Sequence, residues 1–164
     1  DEALCFEPIH RVFEGAGAAT VLDEMKKAFG ERLTVEEKAA DEVVKEVLAH
    51  GNNAPHKFGY ICGDKSAVVS IANPDKTLVV ASIQPTIDTI VKGSNGAIAI
   101  DYVHGEDVVC KLAAKENHSG IILPAMQKSD LFRSVVKMGL VPRKTFSMGH
   151  AVEKRYYMEC RKIL

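Results

Sequence analysis

Two short segments concentrate side chains able to handle an anion. Near the start, Glu7-Pro8-Ile9-His10-Arg11 sets an imidazole beside a guanidinium. The arginine can fork a carboxylate or phosphate with parallel N–H donors. The histidine titrates near neutrality and is the candidate catalytic acid or base. Neighbours on an extended strand point to opposite faces, so His10 and Arg11 serve one ligand only if the strand bends. The competing reading is a satisfied histidine beside a surface arginine. Near the end, Pro142-Arg143-Lys144-Thr145-Phe146-Ser147-Met148-Gly149-His150 holds two cations, two hydroxyls and a glycine. Cations supply charge, hydroxyls supply directional donors, and glycine lets backbone approach closely. Arg11, Arg143, Lys144, Thr145 and Ser147 are therefore the candidate anion- and substrate-binding residues. A polar connection between a helix and a strand is the competing reading of the second segment.

Other chemistries find less to work with. The phosphate loop GxxxxGK[ST] is absent from the chain. Gly93-Ser94-Asn95-Gly96-Ala97 follows an expected helix and precedes an expected strand, the wrong order for a dinucleotide fingerprint, and reads as a turn. Ser70, Ser82 and Ser119 lie in no GxSxG context. Cys5, Cys62, Cys110 and Cys160 form no CxxC pair and read as reduced thiols of a cytoplasmic protein. His50 and His56 have no neighbouring cysteine or carboxylate to complete a zinc set, so no metal is expected. No cofactor is evident in the chain itself. The acidic stretch from Glu36 to Glu46 is interleaved with Lys38 and Lys45 and reads as a solvated face.

The elements that must position these groups follow from composition and period. The chain has 164 residues, 46 % apolar and 26 % charged, the make-up of one globular domain over 1–164. No apolar run approaches the roughly 18 residues of a membrane helix. The net charge of −1 supplies no global pull toward nucleic acid or anionic lipid. Seven basic residues against two acidic ones nevertheless fall within 137–162, either as solvated ends of elements or as an anion-facing surface. The sequence opens on Asp1 rather than methionine, which gives the expectation of a fragment of a longer chain.

Phe6 to Phe13 is expected to be extended, and Thr20 to Phe29 helical with Gly30 as its stop. Thr34-Val35-Glu36-Glu37 has the form of a capping box and predicts a helix from there to His50. Phe58 to Cys62 and Ala67 to Ala72 read as a hairpin, and Leu78 to Ala81 as the third strand of an antiparallel meander. Pro85 suits an early helical position in a short helix that Gly93 ends. Strand Ala97–Val103, helix Asp107–Glu116, strand Gly120–Leu123 and helix Gln127–Met138 then alternate. The runs Ile98-Ala99-Ile100 and Ile121-Ile122-Leu123 suit strands buried on both faces. This βαβα rhythm predicts a parallel pair with a right-handed crossover. Arg155 to Ile163 is a candidate closing strand, although Ser147 to Cys160 also admits a helix. The expected class is mixed α/β (α+β), a mixed sheet with a meander followed by a βαβα section, helices packed on it.

Two segments also carry a resemblance. "LCFEPIHRVF" and "VPRKTFSMGHAVEKRYYMECRKIL" together resemble a bacterial family of uncharacterised proteins, domain of unknown function one-thousand-and-fifteen, often labelled partitioning protein ParB-like. "LVVASIQPTIDTIV" and "IDYVHGEDVVCKLAAKENHSGIILPAM" fit the same family. The resemblance implies a protein about two and a half times as long, of which this chain is similar to the C-terminal half. It implies an upstream half with a Gly-His-His-Arg-type phosphate motif, which this chain lacks: Pro8-Ile9 precede His10-Arg11. It further implies, by gene neighbourhood, chemistry linked to serine metabolism, with a nucleotide handled by the longer protein.

Three functions are thereby expected in descending order. The first is part of a phosphotransferase or phosphatase whose site is completed by the protein's own N-terminal half, holding a small phosphorylated or carboxylated ligand. The second is a non-catalytic interaction or oligomerisation domain, with a homodimer as its form. The third is a DNA-partitioning factor, which needs a helix-turn-helix with a basic recognition helix that no part of the sequence suggests. No membrane partner is expected.

Overall fold

The segment carrying His10 and Arg11 ends up in the interior of the sheet. The computed structural model describes residues 6–16 and 18–148. β1 (Phe6–Pro8) and β2 (His10–Glu14) lead into α1 (Ala18–Phe29), and a single 3-10 turn precedes β3 (Leu33–Glu37). α2 (Ala40–His50), β4 (His56–Cys62) and β5 (Lys65–Ile71) follow, then α3 (Val79–Gly93) and β6 (Ala99–Val103). α4 (Glu106–Ala113), β7 (His118–Ile122), α5 (Lys128–Met138) and β8 (Phe146–Met148) complete the described elements.

Six strands form one sheet in the order β3-β5-β4-β7-β2-β6, and β1 pairs with β8 in a separate ribbon. Helices pack on both faces, so the expected mixed α/β class with helices on the sheet holds. On one face, Val43 and Val47 of α2 and Val109 and Ala113 of α4 meet Val12, Ile61, Val68 and Ile122. On the other, Val21 and Met25 of α1 and Ile83 and Ile87 of α3 meet Phe13, Phe58, Val69 and Ile121. Alternation along each strand feeds both layers, because neighbouring residues face opposite sides. Gly120 permits the close approach of α4: a Cβ there would lie 2.5 Å from Val109 Cγ1.

Several expectations need correcting. Residues 34–37 do not open a helix. β-branched Thr34 and Val35 pair as an edge strand against Ser70 and Val69 of β5, and the helix begins only at Ala40. Cross-strand pairing here outweighs a local capping pattern. Leu78–Ala81 is not a strand. Val79 starts α3, its N–H satisfied by Asn52 Oδ1 at 3.0 Å, and Pro85 therefore lies inside the helix rather than in its first turn. The meander's third strand is β3, from upstream. β6 and β7 do run in the same direction, but β2 lies between them and is antiparallel to both. β6 is consequently an edge strand with half-exposed residues, whereas Ile121, Ile122 and Leu123 are buried as expected. The candidate closing strand Arg155–Ile163 lies outside the described residues. Among the described residues, no helix is long and apolar enough to cross a membrane.

Candidate anion-binding site

The two segments singled out by their chemistry meet in space. β8 lies antiparallel to β1 with Glu7 opposite Ser147 and Pro8 opposite Phe146, and the Phe6 ring packs tilted against Phe146 with centroids 4.6 Å apart. That ribbon brings Arg143, Lys144 and Thr145 back to the start of β2. Gly149 and His150 lie outside the described residues.

His10 and Arg11 leave β2 on opposite faces. His10 is fully buried on the α4 side. Its Nδ1 accepts the Leu123 N–H at 3.1 Å, which leaves the proton of the neutral ring on Nε2. Nε2 faces Glu106 Oε1 at 3.6 Å, just beyond hydrogen-bond reach. The His10 ring holds the Glu106 carboxyl below its usual range, against partial burial that works the other way. Any proton exchanged by His10 therefore passes through Nε2 and the neighbourhood of Glu106.

Arg11 is fully buried on the α3 side. Nη1 donates to the Ile9 carbonyl, Nη2 donates to Gln84 Oε1 at 3.0 Å, and Nη2 also reaches the Arg143 carbonyl at 3.5 Å. The Tyr102 ring lies 5.1 Å from Cζ, a cation–π distance. Among the described residues no carboxylate bonds directly to this guanidinium, and its Nε has no partner. Burial lowers its pKa to about 10, with Tyr102 and Asp88 opposing, so it stays charged at neutral pH.

Arg143 sits above it. Its Nη2 pairs with Asp88 Oδ1 at 3.1 Å, and Tyr102 together with that pairing raises its pKa further. Two shallow hollows flank it. One of about 550 Å³ includes Gln84, Asp88 and Pro142 in its lining, and one of about 370 Å³ is lined by Ile100, Tyr102 and Lys144 besides Arg143 itself. Lys144 adopts a left-handed backbone at φ 55° and has no ion-pair partner among the described residues. Thr145 is buried and donates its hydroxyl proton to the Pro142 carbonyl, tying the loop to itself. Thr145 thus shapes the turn that presents Lys144.

Arg11, Arg143, Lys144 and Thr145 therefore gather in one place, Ser147 lies on the adjoining ribbon, and His10 faces the opposite side of the sheet. Gln84, Asp88, Tyr102 and Glu106 escaped the sequence reading. Gln84 and Asp88 stand one helical turn apart, and Tyr102 lies opposite Arg11 in the β2–β6 register. Only the pairing of β6 with β2 reveals that connection. Among the described residues no group of His, Cys, Asp and Glu is placed to hold a metal.

The layered sheet and this cluster define an α/β protein with a buried, incompletely paired cation beside two exposed ones. No protein-family model and no curated protein matches the chain. Solved structures do share the fold. A conserved hypothetical protein from Pyrococcus furiosus aligns over 92 % of this chain and 58 % of its own, with 18 % identity and a TM-score of 0.66. A free serine kinase in complex with AMP aligns over 91 % of this chain and 55 % of its own, with 20 % identity and a TM-score of 0.62. A mutant free serine kinase in complex with ADP gives 18 % identity and a TM-score of 0.63. The chain thus spans a little over half the length of each of these structures.

Proposed function

We propose that this chain is the anion-holding part of a nucleotide- or phosphoserine-dependent phosphoryl-transfer enzyme of serine metabolism. On this reading it belongs to the uncharacterised bacterial family its opening and closing segments resemble, and an N-terminal half completes the site. The shared fold with nucleotide-bound free serine kinases supports the reading at the level of architecture. The observation that carries it is Arg11: a buried cation that, among the described residues, has an unpartnered Nε and no directly bonded carboxylate. Arg11 lines neither hollow itself, but an anion held by Arg143 and Lys144 would lie over its charge, which is already stripped of water, where electrostatic interactions are strong. Arg143 and Lys144 would contact the ligand with Arg11 behind them, Thr145 and Ser147 would hold the loop and ribbon, and His10, buried on the opposite face, would have no reach to that ligand and would instead hold the strand by accepting the Leu123 N–H.

Calorimetry on the full-length protein with phosphoserine, AMP and ADP tests this. Arg11→Ala and Lys144→Ala should each weaken binding about tenfold or more, one decade being about 1.4 kcal/mol. Unchanged affinity in both variants overturns the reading.

A second reading, a non-catalytic interaction domain, is favoured by one observation. Phe132, Val136 and Leu140 project from α5 and the turn after it at 74, 85 and 91 % exposure, an apolar row at helical spacing. Failure of the two halves, expressed separately, to associate would count against it, as would a monomer in light scattering.

A further inference from the structure

A different cavity carries a net positive lining that nothing in the fold explains. It has a volume of about 550 Å³ and lies between the C-terminal turn of α2 with the loop after it, residues 74–77 and one side of α5 along its length. That is within the size range of small-ligand pockets. Its lining shares no residue with the hollows around Arg143.

Three cations, Lys76, Arg133 and Lys137, face it, and none makes an ion pair or hydrogen bond among the described residues. Arg133 and Lys137 stand four residues apart on α5, a spacing at which like charges repel. Asp130 is the one carboxylate of the lining, and its Oδ2 is already taken by the Gln127 N–H at 3.2 Å in the cap of α5. Asn52 in the wall is satisfied: it donates to the Ala125 carbonyl at 3.1 Å and accepts the Val79 N–H. His56 differs. It is 1 % exposed, its Nδ1 bonds Ser82 Oγ at 2.9 Å, and its other ring nitrogen has no partner among the described residues. Burial depresses its pKa to about 4, so at neutral pH the ring offers a hydrogen bond without charge.

We propose that this cavity is a second ligand site, taking a phosphorylated small molecule whose phosphate pairs with Lys76, Arg133 and Lys137. A phosphate supplies the missing counter-charge and accepts several N–H donors at once. The concavity and the overall charge of −1 favour a compact ligand over a nucleic-acid backbone.

The test is a titration of the full chain, isotopically labelled, with ADP and separately with inorganic phosphate, followed by backbone amide shifts. ADP should shift the amides of Lys76, Arg133 and Lys137, and phosphate should compete for the same positions. The double variant Arg133→Gln, Lys137→Gln should lose at least tenfold in ADP affinity there. Arg143→Gln with Lys144→Gln should leave those shifts unchanged. Absence of shifts at these amides at millimolar ADP overturns the proposal, as does undiminished affinity in the double variant. Shifts confined to Arg143 and Lys144 would overturn it while leaving the proposed function standing.

Discussion

Gln84 stands between Arg11 and Asp88 as an amide bridge. Its Oε1 accepts from Arg11 Nη2 at 3.0 Å, and its Nε2 donates to Asp88 Oδ1 at 2.9 Å. The buried cation is thus balanced at one remove, through an oriented dipole, and the carboxylate is left to hold exposed Arg143. A direct buried ion pair would have closed Arg11 to any other anion.

Removing the bridge should destabilise the fold. Gln84→Leu keeps volume but leaves Arg11 Nη2 short of an acceptor, an expected loss of about 1–3 kcal/mol. Gln84→Glu keeps an acceptor for Arg11 but sets a carboxylate oxygen where Nε2 donated to Asp88 Oδ1, so it should recover only part of that loss. Urea unfolding of the three proteins checks the order, and equal midpoints for wild type and Gln84→Leu would refute it.

Gly120 makes a steric prediction. Its added Cβ would sit 2.5 Å from Val109 Cγ1 and 3.3 Å from Ala113 Cβ. Gly120→Ala should lose about 1–3 kcal/mol through overpacking of α4 against β7. Val109→Ala in the same chain should return part of it, giving a non-additive double-mutant cycle.

Acid should weaken the fold through Glu46. Hydrogen bonds from Lys38 and Lys57 pull its carboxyl from the usual 4.5 to about 2. A carboxyl depressed in the folded state contributes stability above its unfolded pKa, and that contribution is lost as pH falls from about 4.5 to about 2. Its partial exposure keeps the effect modest. Denaturation midpoints at pH 6 and pH 2.5 should differ less in Glu46→Gln than in wild type.

His56 acts in a higher window. Its folded pKa is depressed from 6.5 to about 4 by burial. The unfolded chain therefore binds the proton first, and stability is lost as pH falls from about 6.5 toward about 4. Proton NMR should show this ring titrating below pH 5, while His56→Gln should flatten the stability profile between pH 7 and pH 4.5. A ring midpoint near 6.5 would contradict the buried assignment.

The sequence made the alternation of elements legible wherever a local period was strong. α1, α4 and α5 and the β4–β5 hairpin fall close to where their apolar spacing puts them. It misled at 34–37 and 78–81, where the decision was tertiary: β5 offers Thr34–Glu37 an edge, and Asn52 offers Val79 a cap. The opposite projection of His10 and Arg11 was readable from strand geometry alone. Their partners were not, because Gln84 and Glu106 reach them only through layers built from distant segments. The chemistry of Arg143-Lys144-Thr145 was visible as composition, whereas its placement over Asp88 depends on the β1–β8 ribbon.

Within this sheet β2 comes first along the chain, yet its neighbours, β6 and β7, lie roughly 85 to 110 positions further on. During synthesis β2 must wait, exposed on both edges, until those partners emerge. Contacts of such large sequence separation slow folding, because the loop must close before any pairing rewards it. Val12 and Phe13 would be available to stray strands throughout that interval. Placing His10 and Arg11 on this late-locking strand means that the histidine and the arginine take up their positions only after the rest of the sheet exists, so premature release or truncation before β7 should leave a chain that aggregates rather than one that binds.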